Sequence, residues 1–534
     1  MSTFLSMPKL MSNTPPGWAV AAGLLVLSCQ GATAAEGAAP VPLIRGFSVS
    51  GQNPLPSDEV SLALAPFLRK EASLVELQAA TAALENLFAQ RGLGLYRVVL
   101  PLQELGDTIA LQVVRFAVGQ VTVDGAQRLP PEHVRRSLPE LKEGGTPNLD
   151  RLAVQTAIAN ENPSRQVQVA LTAGAEPDTV DATVRVKETR PLEFGLSASN
   201  TGAVGSGRDR VTGSLAHHNF LNLDHQWLAA YTTSVTHPGA VHQWGLSHRV
   251  PLYNQLSTLE WAYTRSSVVG NFGTFTSSGA GHTLGLTVQR HFQPVNGVKR
   301  AVSLAWEDKV FNPTELNGVA LAGQTARRTR PLSLGYTARG QSERSYWDAQ
   351  TSLAVNMPGG RGNNLASYQT ESTAIASARW RAWRARGNWV GALGDDWLLA
   401  WRGQAQWAPT ALLSAEQMGL GGVASLRGTQ ERALSGDTGV LSAFEISTPE
   451  WSPGVRAVGF VDAGWLHGHP TAATAPVNDS AASIGLGLRY GQGPVSLTLD
   501  YGWVAKASKV PRTLNGNAPQ TGDQKLHMGV SARF

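Results

Sequence analysis

Lys525-Leu526-His527-Met528-Gly529-Val530-Ser531-Ala532-Arg533-Phe534, the last ten residues of the chain, alternate between polar or small side chains and apolar ones. In an extended strand, successive side chains point to opposite faces. The apolar face carries Leu526, Met528, Val530, Ala532 and Phe534. The other face carries Lys525, His527, Gly529, Ser531 and Arg533. A strand that places lysine, histidine and arginine opposite an apolar row fits a wall between hydrocarbon and water better than the inside of a soluble sandwich.

Two earlier segments show the same alternation. In residues 495–503 the apolar row is Val495, Leu497, Leu499, Tyr501 and Trp503, opposite Ser496, Thr498, Asp500 and Gly502. In residues 397–407 three tryptophans share a face that opposes Arg402, Gln404 and Gln406. At about ten residues per strand plus turns and loops, the last two-thirds of the chain has room for about sixteen strands. The sequence therefore predicts a transmembrane antiparallel β-barrel of about sixteen strands over residues 190–534.

The composition agrees with a membrane barrel. Charged residues make up 16% of the chain, which also contains 56 glycines and 15 tryptophans. No stretch of the mature chain reaches the roughly 18 uninterrupted apolar residues of a membrane helix. The net charge is +5, but the lysines and arginines are dispersed, so nucleic-acid binding is not predicted. The tryptophans between residues 380 and 407 are predicted to lie mainly in interfacial girdles, with stacking on a ligand as the alternative.

Residues 1–35 have the organisation of a signal peptide. Lys9 precedes an apolar segment, Trp18–Leu27, that is too short to span a bilayer. Ala32-Thr33-Ala34 then supplies a cleavage site of small residues. Cleavage there removes Cys29, the single cysteine, so no disulfide or thiol chemistry is predicted for the mature protein. The alternative is lipidation at Cys29, for which the preceding Val26-Leu27-Ser28 is a poor match.

Two copies of one α/β unit precede the barrel region. Residues 36–116 and residues 117–189 each predict the element order β-α-α-β-β. A glycine follows the first strand of each copy, Gly51 in one and Gly125 in the other. The predicted N-caps of the first two helices are Ser57 and Ser73. The sequence therefore predicts two small soluble domains ahead of the barrel.

A glycine-rich stretch, residues 420–439, lies between two alternating segments and is predicted to be a long loop between strands. It contains Gly421-Gly422, then Leu426-Arg427-Gly428-Thr429, then Gly436-Asp437. Glycine permits close approach and positive φ, and arginine supplies a permanent charge with a forked set of donors. Farther on, Phe460-Val461-Asp462 lies on an alternating strand whose apolar row faces lipid. Phe460 and Asp462 are therefore predicted to point into the lumen, where Asp462 has no partner on its own strand.

These motifs resemble those of the two-partner secretion transporters, the haemolysin secretion/activation family of the Omp85 superfamily. In that family the sixth extracellular loop carries a Gly-Gly lead-in, a Val-Arg-Gly-Tyr/Phe tetrad and a Gly-Asp pair, and a barrel strand carries Phe-x-Asp. Here Thr429 replaces the family aromatic, which would have packed near Phe460. The resemblance implies that Arg427 pairs with Asp462, beside Gly428 and Phe460. Such a pair would act as a latch that holds the loop inside the barrel, with a purely structural plug against leakage as the alternative.

The two α/β units resemble the POTRA (polypeptide-transport-associated) domains of the same family, and Asn162-Pro163-x-Arg165 looks like a motif of the second domain. The resemblance implies periplasmic domains that bind a client by β-augmentation, with a periplasmic spacer as the alternative. It also implies sixteen barrel strands, and a terminal Phe534 that the barrel-assembly machinery reads during insertion. Too few residues separate the cleavage site from Val41 to hold the family's N-terminal plug helix, which is therefore predicted to be missing.

The function that the resemblance implies is export of a partner exoprotein, of adhesin or haemolysin type, from the periplasm to the cell surface by two-partner (type V) secretion without ATP. The expected partners are this client, outer-membrane lipid and the barrel-assembly machinery. No P-loop, H-E-x-x-H, C-x-x-C or G-x-S-x-G motif occurs, so the sequence predicts no enzyme and no catalytic, cofactor or metal site. The alternatives are a barrel-insertion factor, which would carry more soluble domains, and a passive porin, which would lack them.

Overall fold

The structure is a computed structural model that describes residues 41–104, 106–203, 206–268, 270–272, 274–277, 279–313, 315–316, 319–320, 325–470 and 476–534. The predicted signal peptide with Cys29, and the prediction about a plug helix, concern residues that lie outside these ranges. Within the described ranges, no helix has both the length and the apolar character needed to cross a bilayer.

The first N-terminal unit has the predicted order β-α-α-β-β. Its elements are β1 Gly46–Gly51, α1 Ser57–Leu64, α2 Leu74–Gln90, β2 Tyr96–Val99 and β3 Thr108–Arg115. The strands form a sheet in the order β1-β3-β2, with β1 parallel to β3. The helices and the sheet enclose an apolar core in which Leu84, Phe88 and Ile109 are fully buried.

The two predicted helix caps have different outcomes. Ser73 caps α2, because its hydroxyl accepts a hydrogen bond from the backbone N–H of Glu76 at 3.3 Å. The prediction for Ser57 is wrong, because Ser57 is the first helical residue of α1 and Pro56 takes the cap position without a side-chain hydrogen bond. The proline there holds φ at −57°, so the ring rather than a hydroxyl sets the chain direction into α1.

The second unit repeats the order. Its elements are β4 Ala117–Asp124, α3 Pro131–Arg136, α4 Leu149–Ala159, β5 Arg165–Ala173 and β6 Thr179–Glu188. The sheet order is β4-β6-β5, with β4 parallel to β6. Gly51 and Gly125 occupy equivalent turns at φ +89° and +79°. A Cβ on either would lie 2.3 Å or 2.4 Å from a backbone oxygen of the parallel partner strand, so both copies need glycine for the same reason.

In the described part of residues 190–534, sixteen antiparallel strands follow and close into a barrel. One of them, β14, has two pieces that both pair with β13. The last strand pairs with the first at residues 529–533 and 195–199 and closes the cylinder. The strands are β7 Leu192–Ser199, β8 Arg210–Phe220, β9 His225–Thr233, β10 Gln243–Leu252, β11 Ser257–Ser266, β12 Gly281–Val295, β13 Val298–Phe311, β14 Arg327–Thr329 with Pro331–Gln341, β15 Ser345–Asn356, β16 Arg381–Gly394, β17 Trp397–Trp407, β18 Thr438–Ser447, β19 Val455–His467, β20 Asn478–Gln492, β21 Val495–Lys506 and β22 Gln524–Arg533.

The alternation predicted for the barrel wall is confirmed. On β22, Leu526 and Met528 are 44% and 46% exposed on the outer face, whereas His527 between them is 1% exposed. On β21, Tyr501 is exposed and Asp500 is buried. An outer surface of exposed leucine, valine and tryptophan around a polar interior is the arrangement that a bilayer and a wet lumen select.

The connections differ in length on the two ends of the barrel. On the end that carries the two α/β units, turns are short, as at 296–297 and at 395–396. On the opposite end, connections are long, as at 357–380 and at 408–437. Short periplasmic turns and long extracellular loops are typical of outer-membrane barrels. The two units are therefore on the periplasmic side, and loop 408–437 starts from the extracellular side.

Candidate functional site

Loop 408–437, between β17 and β18, folds back into the barrel lumen instead of extending outward. Its two limbs pair as a short hairpin, Met418–Leu420 with Leu434–Gly436. At the base of the tip, Gly421 and Gly422 have φ of +124° and +90°, values that residues with a Cβ rarely adopt. At the tip, Leu426 is fully buried and Arg427 is only 2% exposed. The predicted lead-in glycines thus turn the chain so that the arginine lies deep inside the barrel.

Arg427 makes a forked contact with Asp462 of β19. Its Nε and Nη2 donate to the two carboxylate oxygens at 2.8 Å each. The backbone N–H of Arg427 donates to the same carboxylate at 3.0 Å. Asp462 is fully buried. The pair is therefore a water-excluded, bidentate ion pair, the geometry that makes arginine different from lysine.

Two further carboxylates and a second arginine complete a buried charge cluster. Arg427 Nη1 donates to Glu445 of β18 at 2.7 Å and lies 3.6 Å from Asp500 of β21. Arg489 of β20 contacts the same two carboxylates at 3.0 Å and 2.8 Å. The loop tip is thereby bonded to the barrel wall on several neighbouring strands at once, which defines its position along and around the lumen.

Phe460, two residues before Asp462 on the same inward face, packs against the guanidinium group of Arg427. The guanidinium carbon of Arg427 lies 3.4 Å from the centre of the Phe460 ring, a cation–π contact. Thr429 does not take the place of the family aromatic. Its hydroxyl accepts from the N–H of Gly422 at 3.2 Å and donates to the carbonyl of Leu426 at 2.7 Å. The threonine therefore closes the turn of the tip, and Arg427 itself covers the phenylalanine.

Two glycines of the barrel wall, Gly485 and Gly502, leave room for the loop tip and for the Phe460 ring. Gly428, at φ +90°, rests on the backbone of Gly502 in β21, and a Cβ on Gly502 would lie 2.4 Å from the Gly428 nitrogen. A Cβ on Gly485 would lie 2.3 Å from the ring of Phe460. The Gly428 N–H donates to Nε2 of the buried His527 on β22 at 3.1 Å. The tip thus touches the last strand as well as the wall glycines.

Both limbs of the loop are anchored where they enter the barrel. Asp437 is fully buried and accepts hydrogen bonds from Leu412 N–H at 2.8 Å and from His469 N–H at 3.1 Å. Glu416 accepts from Thr329 at 2.9 Å and from Arg384 at 2.9 Å. These buried carboxylates fix the two ends of the segment that carries Arg427.

Residues 179–490, which include most of the barrel and the whole loop, match the family model of the haemolysin secretion/activation proteins ShlB/FhaC/HecB. The chain belongs to this family. Residues 43–115 match the ShlB-type POTRA domain. As a member of the haemolysin secretion/activation family, the protein is an outer-membrane transporter of two-partner secretion, and neither a barrel-insertion factor nor a porin is favoured.

Similar proteins match most of this chain, and two solved structures share its fold. The outer membrane transporter CdiB of Escherichia coli is 25% identical over 449 residues, which cover 82% of this chain and 74% of that protein. The CdiB of Dickeya dadantii (strain 3937) is 24% identical and covers 76% of this chain and 73% of its own. The solved structure of Escherichia coli CdiB has a TM-score of 0.74 at 21% identity, covering 95% of this chain and 93% of that one. The structure of CdiB from Acinetobacter baumannii gives 0.69 at 16% identity, covering 93% and 90%.

The sequence did not identify four residues around the loop tip as site residues. Three belong to the charge cluster, Glu445, Arg489 and Asp500, and the fourth is His527, which binds Gly428. A usable signal exists for each, because all four lie on the inward row of an alternating strand. The period-2 pattern places them inside the barrel but does not say which of the inward residues share a height with Arg427.

Replacing Gly502 by alanine is expected to push the loop tip off the wall. The added methyl would meet backbone atoms of Arg427 and Gly428, which cannot rotate away, and such overpacking typically costs about 1–3 kcal/mol. In intact cells, an added protease should cleave loop 408–437 in Gly502→Ala faster than in the wild type. The matched control is Gly491→Ala on β20, where a Cβ would meet nothing within 4 Å. Equal protection of both variants would mean that the tip does not depend on this close approach.

Proposed function

We propose that this transporter passes a secreted exoprotein of the adhesin or haemolysin type through its lumen, and that the loop around Arg427 is the element that export depends on. The client enters from the periplasm in extended form, and its folding outside the cell draws it forward. The chain needs neither ATP nor a catalytic group for this. The observation that carries the proposal is the charged loop tip bonded to the wall in the middle of the tunnel.

An ion pair suits a latch because it holds the loop tip in one place and can still be opened and closed again. A buried pair holds its geometry while intact, and separating the partners costs several kcal/mol unless water or another charge replaces one of them. Arg427 has a second acceptor, Glu445, and Arg489 remains with Glu445 and Asp500 when Arg427 leaves. Two of the three carboxylates therefore keep a cation when the loop tip moves, whereas Asp462, whose hydrogen bonds in the described structure all come from Arg427, needs water or another charge in its place.

The two periplasmic domains are proposed to hold the client by β-augmentation. Each sheet has edge strands, β1 and β2 in the first and β4 and β5 in the second. An edge offers backbone N–H and C=O groups to an extended segment without requiring a particular side-chain sequence. This mode suits a client that is unfolded in the periplasm.

Insertion of the barrel itself is proposed to depend on lipid contact and on its last residue. Phe534 is 71% exposed, and its backbone exchanges hydrogen bonds with Phe194 at the seam, at 2.9 Å and 3.0 Å. The Phe534 side chain is thus exposed at the periplasmic end of the seam between β22 and β7, where the barrel-assembly machinery would bind it.

Deleting the gene for this protein tests the export proposal. In the deletion strain a large secreted protein should be missing from the cell surface and accumulate in the periplasm, and plasmid-borne wild type should return it to the surface. An unchanged surface level of that protein, together with a general loss of other outer-membrane barrels, would favour an insertion factor. Unchanged secretion with reduced uptake of small solutes would favour a porin.

A further inference from the structure

The second periplasmic domain is docked on the barrel by a buried interface. At its centre, Arg165 Nη2 of β5 donates to Asp224 of the β8–β9 turn at 2.8 Å and to the hydroxyl of Tyr253 in the β10–β11 turn at 2.9 Å. The Arg165 side chain is 1% exposed and that of Asp224 is 9% exposed. Val154 and Ile158 of α4 pack against Leu256 beside them. The apolar contacts of α4 and the buried ion pair of Arg165 together fix the second domain against the periplasmic rim of the barrel.

In this arrangement Glu161, two residues after the end of α4, reaches into the mouth of the barrel. The Glu161 carboxylate binds the guanidinium groups of Arg249 on β10 and Arg339 on β14, one oxygen to each. Nδ1 of His291, on β12 between them, lies 3.8 Å from the same carboxylate. All three barrel residues lie on the inward row near the periplasmic ends of their strands. The side chain of Glu161 is 7% exposed.

The charges around the Glu161 carboxylate favour an anion at this position. Burial alone would raise the pKa of Glu161, but the charges of Arg249, His291 and Arg339 outweigh it and hold the pKa below its ordinary value. The two guanidinium groups remain accessible from the mouth, with side chains 24% and 45% exposed. A second carboxylate that arrives at the mouth therefore has two arginine forks within reach.

We propose that Arg249 and Arg339, beside His291, form a carboxylate-binding site at the periplasmic mouth, which Glu161 occupies at rest and an acidic side chain of the extended client takes on entry. This inference rests on the proposed export function and adds a recognition step to it. Exchange of one carboxylate for another leaves both arginines paired, so it avoids the cost of an unpaired charge. Exchange also releases the Glu161 side chain from the mouth, while the Arg165 pair and the apolar contacts keep α4 docked.

The test measures binding of a fluorescently labelled deca-glutamate peptide to the full-length protein in detergent by anisotropy. The apparent affinity of a site falls with the fraction of molecules in which a competitor occupies it. Glu161→Gln removes the competing charge and keeps the side-chain volume, so the dissociation constant is expected to fall by about tenfold. Glu176→Gln, on the exposed β5–β6 turn of the same domain, is the matched control and should leave it unchanged.

Combining Glu161→Gln with Arg249→Gln and Arg339→Gln should raise the dissociation constant again, to the wild-type value or above it. The inference is overturned if neither Glu161→Gln nor Glu161→Ala binds the peptide better than the wild type, or if loss of both arginines leaves binding unchanged. Glu161→Ala provides a second variant should Gln retain the native contacts. The peptide assay contains no client, so its outcome is independent of the export assay. Normal export by the wild type, together with unchanged peptide affinity in Glu161→Gln, rejects the binding site alone. Tighter peptide binding by Glu161→Gln, together with no export by the wild type, rejects the proposed function alone.

Discussion

The Arg427→Glu variant is expected to export none of its partner polypeptide while its barrel remains folded in the outer membrane. The substitution places a fourth carboxylate among Asp462, Glu445 and Asp500, where the wild type has its bidentate pair. Loss of one partner of a buried ion pair costs about 3–5 kcal/mol, and like-charge repulsion adds to it. The loop tip should leave the wall, whereas the strand ladders of the barrel are untouched. Secreted client is measured by immunoblot of the medium, and the barrel by its resistance to SDS before heating.

Two controls separate the latch from a general effect of charge. Arg361→Glu makes the same change on the exposed extracellular loop 357–380 and should leave export at the wild-type level. Arg427→Lys keeps the charge but loses the fork, so export should be intermediate. Wild-type export by Arg427→Glu would remove the latch. Raised conductance with export intact, in this variant or after deletion of the loop, would identify a structural plug.

Replacing Arg165 by alanine is expected to loosen the second periplasmic domain from the barrel and to reduce export strongly. The change leaves Asp224 without its guanidinium partner in a buried junction, which typically costs about 3–5 kcal/mol. Since 1.4 kcal/mol corresponds to a factor of ten, amide hydrogens around the turn 221–224 should exchange faster by a factor of about a hundred or more. Hydrogen-exchange mass spectrometry of the full-length protein measures this directly.

An exposed ion pair supplies the contrast for Arg165. Arg91 of the first domain contacts Glu59 at 2.9 Å with its side chain 56% exposed. Such pairs contribute about 0–1 kcal/mol, so Arg91→Ala should leave exchange at the junction and export unchanged. Equal exchange at turn 221–224 in Arg165→Ala and the wild type would show that the apolar contacts of α4 suffice to hold the domain.

Much of the architecture was predictable because it depends on local periodicity. Alternation places Asp462 and Phe460 inside the barrel whatever the rest of the chain does, and the structure has both residues buried there. Repetition of β-α-α-β-β predicted two domains of one kind, and the equivalent glycines 51 and 125 have the same backbone conformation. The Ser57 cap failed because a neighbouring proline was the stronger local determinant.

The sequence by itself determined that the last two-thirds is a barrel with a wet interior, since a pleated strand has a period of two that lipid and water select directly. The resemblance implied the pair of Arg427 with Asp462, but the tertiary structure alone decided which other inward charges meet them. The tilt and stagger of the strands bring Glu445, Arg489 and Asp500 to the height of Arg427, and those offsets arise from pairing around the whole cylinder. The docking of the second domain likewise joins Arg165 and Glu161 to residues between 59 and 178 positions away, a distance that no local pattern encodes.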